Sequence, residues 1–153
     1  MFCAFEPGRL RGAQVVNQPG AWAMSTLATT DPDAAEAFYG SLFGWQGDTM
    51  EFGEFTATMW RLPGFKGGEP GQPVPADVVG AMLPQPPGQA SGGPPPHWSV
   101  DFWVTDVDAA ATKATDLGAK VLVPPFDSPT GRTGILADPQ GATFSLSTAP
   151  TAP

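Results

Sequence analysis

The chain holds a single cysteine, Cys3, among its 153 residues. No intrachain disulfide is possible, nothing points to an oxidising compartment, and a cytoplasmic location is the expectation. There is also only one histidine, His97, which excludes an iron site of two histidines and a carboxylate within one chain. Positive charge is scarce: 7 Lys and Arg stand against 15 Asp and Glu, for a formal net charge of -8. Phosphate backbones and anionic membrane surfaces need a basic stripe, so neither nucleic acid nor membrane is an expected partner. A neutral or cationic small molecule meets no long-range repulsion. Long apolar runs are missing as well. No window reaches the roughly 18 to 20 apolar residues of a membrane span, and Met1 to Gly20 lacks a basic stretch followed by an apolar core, so a soluble protein without a leader is expected.

Glycine and proline are abundant, at 19 each, but they cluster between periodic segments and mark their ends. Trp22 to Thr29 reads as a strand. Asp31-Pro32-Asp33 then offers a helix cap with proline in the first turn, and Ala34, Ala35, Phe38, Tyr39, Leu42 and Phe43 recur at helical spacing up to a terminating Gly44. Glu51-Phe52, Phe55 to Leu62 and Val78 to Leu83 follow as strand-like runs. Pro84 to Pro96 has no apolar periodicity and reads as a connector. The order then begins again: His97 to Thr105 as strand, Asp106 to Leu117 as helix, Gly118 as its stop, and Lys120 to Val123, Gly134 to Ala137 and Thr143 to Leu146 as strands. Thr30-Asp31-Pro32-Asp33-Ala34-Ala35 matches Thr105-Asp106-Val107-Asp108-Ala109-Ala110 at the same strand-to-helix corner, so the chain reads as a duplication of one β-α-β-β-β unit.

These corners carry a family resemblance. Asp31 through Phe38-Tyr39 and on to Leu42-Phe43-Gly44-Trp45 resembles the first helix of the vicinal oxygen chelate superfamily, the group of glyoxalases, bleomycin-resistance proteins and extradiol dioxygenases. Asp106 through Leu117-Gly118-Ala119, followed by Asp138-Pro139-Gln140-Gly141-Ala142-Thr143-Phe144, looks like its second module with the turn into the last strand. The resemblance implies an α+β fold in which two βαβββ modules form a cupped, partly open sheet: module one at 21–83, linker 84–96 and module two at 97–148, flanked by tails at 1–20 and 149–153. Phe2-Cys3-Ala4-Phe5-Glu6-Pro7-Gly8 and Gly12-Ala13-Gln14 resemble the final strand and linker of a preceding domain in tandem relatives, so the chain is expected to correspond to the C-terminal half of such an architecture. By resemblance it is also expected to form a homodimer.

Metal-dependent members of the superfamily place one His or Glu on the first and last strand of each module, because a divalent ion needs about four convergent N or O ligands. Family spacing puts these slots at Met24, at Ser99, at Ser145 and within Val78 to Leu83, where no His, Asp, Glu or Cys occurs. The expectation is therefore no metal and no cofactor. Strand alternation sorts the second-module strand into Trp98, Val100, Phe102 and Val104, all apolar, and His97, Ser99, Asp101 and Trp103, which are mixed. The apolar set should pack under the helices, Phe102 as a core residue, and the mixed set should face the cup. The expected ligand-binding residues are Met24, Thr26, Ser99, Asp101, Trp103, Thr143 and Ser145: aromatic area, hydroxyls and one acid, suited to a small organic ligand that is aromatic or cationic. His97 lies four residues from Asp101, about 13 Å along an extended strand, and cannot pair with it directly. No catalytic residue is assigned.

Three readings stay open at this point. The first is a small-molecule-binding protein without a metal. The second is a metal-dependent lyase, hydroxylase or dioxygenase with displaced ligands, such as Asp101 with Glu51 or Glu54. The third is a non-catalytic half of a tandem protein.

Overall fold

A computed structural model describes residues 15–52, 55–65, 77–85 and 95–149. The proposed strand at Phe2 to Phe5 and most of the connector lie outside these residues. Eight strands and two helices follow the expected order. β1 spans Trp22–Thr29, α1 Pro32–Phe43, β2 Gln46–Phe52, β3 Phe55–Arg61 and β4 Val78–Pro84. The second unit repeats them as β5 His97–Trp103, α2 Val107–Asp116, β6 Lys120–Ser128, β7 Gly131–Ala137 and β8 Thr143–Ser147. All eight strands join one open sheet in the order β2-β3-β4-β1-β5-β8-β7-β6. The two modules meet where β1 and β5 pair antiparallel, and each closes its own half with one parallel pair, β1 with β4 and β5 with β8. No helix among the described residues is long and apolar enough to cross a membrane.

The helices begin and end on local chemistry. The Asp31 side chain accepts a hydrogen bond from the Ala34 backbone N–H and Asp106 accepts one from Ala109, each satisfying a donor that the first helical turn leaves free. Gly44 ends α1 in the left-handed region at φ 71°, with its N–H bonded to the Gly40 carbonyl.

Both helices cover the same face of the sheet, and each builds its own core there. Under α1, Leu27, Trp60 and Met82 are buried, with Ala35, Tyr39, Trp45, Val79 and Trp98 packed against them. Under α2 the buried set is Val107, Ala111, Leu136 and Leu146, with Val104, Ala110, Ala114 and Phe144 around it. Gly80 marks a close approach of backbone to backbone. A Cβ there would meet the Ser25 carbonyl oxygen at 3.1 Å, tighter than an ordinary contact, while the Trp98 ring at 3.5 Å already lies in van der Waals contact with that position.

Tyr39 is the polar pin of the first core. Its hydroxyl accepts the Trp98 indole N–H at 2.8 Å, and its ring stands 4.7 Å from Trp60 and 5.5 Å from Trp98 by centroid. Tyr39→Phe keeps the ring contacts but strands a partly buried indole donor. A loss of about 1 to 2 kcal/mol in chemical denaturation is expected, with the fold unchanged by circular dichroism.

Two features depart from expectation. α1 turns only part of its apolar stripe inward, since Phe38 is 56 % exposed and Leu42 53 %. Phe102, expected in the core, is 36 % exposed and touches only the edge of the α2 cluster, through an edge-to-face contact with Phe144 at 6.1 Å. β5 is a central strand at the junction of the modules, and its helix side there lies between the regions that α1 and α2 cover.

Candidate functional site

The face opposite the helices is the floor of the cup, and strand register builds it in rows. Paired residues on neighbouring strands point to the same face. One row runs Asp48, Met59, Ala81, Thr26 and Ser99 across β2, β3, β4, β1 and β5. The next runs Met24, Asp101, Ser145, Ile135 and Val123 across β1, β5, β8, β7 and β6. A third continues with Trp103, Ser147, Thr133 and Phe126. Five of the seven residues named from the sequence, Met24, Thr26, Ser99, Asp101 and Ser145, thus share the two rows at the module junction. Thr143 is on the same face at the start of β8, paired with Ala137, and is exposed.

Trp103 has the expected parity but not the expected exposure. It is 4 % exposed, at the end of β5, where its backbone bonds to Gly20 and Ala21 on one side and its register partner is Ser147 on the other. The ring fills space at the margin of the cup and does not present an open wall. The open apolar wall comes instead from module two, where Val123, Phe126 and Ile135 stand exposed on the concave face. The strand signature of β6 covers Lys120 to Val123, and Pro124 and Pro125 follow it. β6 is an edge strand, where missing N–H donors are tolerated, and register shifts on either side of Val123 carry it through to Ser128. The surviving signal was Phe126-Asp127-Ser128 before a Pro-Thr-Gly turn.

Asp101 is the chemical centre of the floor. Ser145 Oγ donates to its Oδ1 at 2.8 Å and Ser147 Oγ donates to its Oδ2. Burial pushes the carboxyl up from its ordinary value, and the two serine hydroxyls pull it partly back down. Because the folded-state value lies above the unfolded one, the folded chain binds the extra proton more readily. The stability this provides is present in acid and is lost as pH rises from the unfolded value towards the raised folded one. Asp101→Asn removes that dependence, so the variant should melt higher than the parent at neutral pH, with the gap closing at about pH 4. A gap that widens in acid would refute this assignment.

The donor set does not fit a divalent ion. Met24 brings a thioether, Ser99 and Ser145 bring neutral hydroxyls, and Val78–Pro84 brings no ligating side chain. Among the described residues no three His, Cys, Asp or Glu converge. The displaced pair of Asp101 with Glu51 is not assembled either: Glu51 is on β2, four strands from β5, about 19 Å across the sheet. Glu54 lies outside the described residues. His97 occupies the cup face opposite Ala28, with its Nδ1 2.8 Å from the Pro95 carbonyl oxygen.

Paired βαβββ modules joined through their first strands, with a concave face between them, define a vicinal oxygen chelate domain. The chain belongs to the glyoxalase-like domain family, whose model matches residues 23–147. It is 38 % identical over 143 residues to "Putative glyoxylase CFP32" of Mycobacterium tuberculosis, covering 93 % of this chain and 49 % of that protein. It is 33 % identical over 145 residues to "Anthracycline biosynthesis protein DnrV" of Streptomyces peucetius, covering 95 % and 47 %. The chain therefore spans about half the length of the curated relatives it matches. Among solved structures, a methylmalonyl-CoA epimerase of Streptomyces coelicolor aligns at a TM-score of 0.57 and 23 % identity, covering 89 % of this chain and 100 % of that one. A protein of Bacillus halodurans, BH1468, aligns at 0.59 and 9 %, covering 86 % and 96 %. At those identities the likeness is one of fold.

Proposed function

We propose that the chain is a small-molecule-binding domain that holds an apolar organic ligand in its cup without a protein-bound metal. The observation that carries this reading is the composition of the two central rows. The family's ligand positions hold a thioether and hydroxyls, while the adjoining wall of Val123, Phe126 and Ile135 offers exposed apolar area on a concave face. A few polar groups set in apolar surroundings are what orient small ligands in pockets. The name of the Streptomyces peucetius relative, which refers to anthracycline biosynthesis, favours a polycyclic aromatic ligand.

Intrinsic tryptophan fluorescence titrated with a panel of polycyclic aromatics, an anthraquinone among them, tests the reading. Saturable binding is expected, weakened by about 1 to 2 kcal/mol in Phe126→Ala because an exposed aromatic contact is lost. No saturable ligand at high micromolar concentration would count against the proposal. Stoichiometric iron, zinc, nickel or manganese in protein purified without chelator would replace it with a metal-dependent activity.

A further inference from the structure

Asp101 is a carboxylate on the floor of an apolar cup, and every partner it has among the described residues is a neutral hydroxyl. Ionisable groups that face it from the surrounding strands are few and distant. On its own strand, His97 is about 13 Å away along β5 and turned to the Pro95 carbonyl. The concave faces of β1 and β8 contribute Met24, Thr26 and Ala28, and Thr143, Ser145 and Ser147, none of them charged. β7 contributes Thr133, Ile135 and Ala137, and β4 contributes Ala81 and Leu83. The cations on that face among the described residues are Arg61 on β3, bonded to both Asp48 and Asp77, and Lys120 on β6, in the row of Ala137 and Thr143; each is three strands from β5.

A charged carboxylate half-removed from water is stabilised by a cation, and the described residues supply none in contact with it. We propose that the cup selects amphipathic amines: a protonated amino group would sit against Asp101, between Met24 and Ser145, while the apolar part of the ligand lies on Val123, Phe126 and Ile135. This rests on the reading of the cup as a ligand site and names the class of ligand. The two serines hold both carboxylate oxygens from the β8 side, which leaves the β1 side, next to the soft Met24 thioether, for the ammonium. Desolvation raises the proton affinity of Asp101 in the empty cup, so acid should empty the site of amine by neutralising the carboxylate.

The test is a matched pair of probes, 2-(1-naphthyl)ethylamine and its neutral counterpart 2-(1-naphthyl)ethanol, titrated by calorimetry from about pH 8 to pH 4, a range in which the amine stays protonated. The amine is expected to bind at least about ten-fold more tightly than the alcohol at neutral pH, a ratio set by the extra charge pairing. That preference should vanish as pH falls, and should be absent at every pH in Asp101→Asn, which still binds the alcohol. His97→Gln should leave the pH profile unchanged, which separates Asp101 from the one histidine. Equal, pH-independent binding of both probes would overturn amine selection and leave the cup reading standing. Failure of both probes to bind the parent would overturn both.

Discussion

Replacing Trp60 by alanine is expected to cost about 3 to 5 kcal/mol, enough to leave a domain of this size at or beyond the edge of folding. Trp60 is 1 % exposed and lies on β3, with Gly80 of β4 as its register partner. Its indole is ringed by Tyr39, Trp45 and Trp98 at centroid distances of 4.7, 5.2 and 5.5 Å. These rings come from α1, from the second residue after it and from β5, so one side chain joins three separate parts of the chain across the module junction. Alanine would remove the whole indole and leave a cavity bounded by rings that are themselves fixed by the Tyr39–Trp98 hydrogen bond. Such a wall collapses poorly, which places the cost high in the usual range. Trp60→Phe, which keeps an aromatic plane, should recover a large part of the loss. Urea denaturation of both variants checks the expectation, and a cost below about 1 kcal/mol for alanine would show that the aromatic cluster is not the core of module one.

The caps and periods that identify the fold were legible because they are local. Asp31 with Pro32, Gly44 and Asp106 each satisfy a backbone group within four residues, so sequence neighbours are enough to place them. Alternation in β5 was legible for the same reason: Trp98 does pack under α1, and Asp101 does face Ser145. The strand signature of β2 covers only Glu51-Phe52, whereas the strand runs from Gln46 to Phe52. Gln46-Gly47-Asp48-Thr49 has no strand signature of its own, and the segment is extended because it pairs residue for residue with β3. β6 likewise continues past two prolines on the strength of its pairing with β7. Pairing of distant segments is a tertiary fact, and the open wall of the cup at Phe126 was hidden with it. The serine clasp on Asp101 was half visible. Alternation on the last strand turns both Ser145 and Ser147 towards the cup, but that both reach Asp101 follows from the parallel pairing of β5 with β8, which sets Asp101 opposite Ser145 and Trp103 opposite Ser147.

Trp103 and Phe102 show where alternation stops being informative, and together they give the second large expected effect. Alternation assigns a side chain to a face and says nothing about what covers that face. On the sequence alone, the outer residue Phe102 should be core and the inner residue Trp103 an open ligand contact. Both are on the faces assigned: Phe102 meets Phe144 on the helix side, and Trp103 is the register partner of Ser147 on the other. Their coverage is reversed, at 36 % exposed for Phe102 and 4 % for Trp103. Trp103→Ala is therefore expected to destabilise by about 3 to 5 kcal/mol, as the loss of a buried indole does, and to affect a ligand only through the altered margin of the cup. Phe102→Ala should cost no more than about 1 to 2 kcal/mol, since a third of its area is already in water and its contact with Phe144 is a single edge-to-face pair. Thermal and urea melts of the two variants decide the order. A Trp103→Ala protein that keeps the parent's midpoint while losing naphthyl probes would restore Trp103 as an open wall of the cup. A Phe102→Ala protein that unfolds would mean that something covers the helix side of β5 in solution, between the reach of α1 and that of α2.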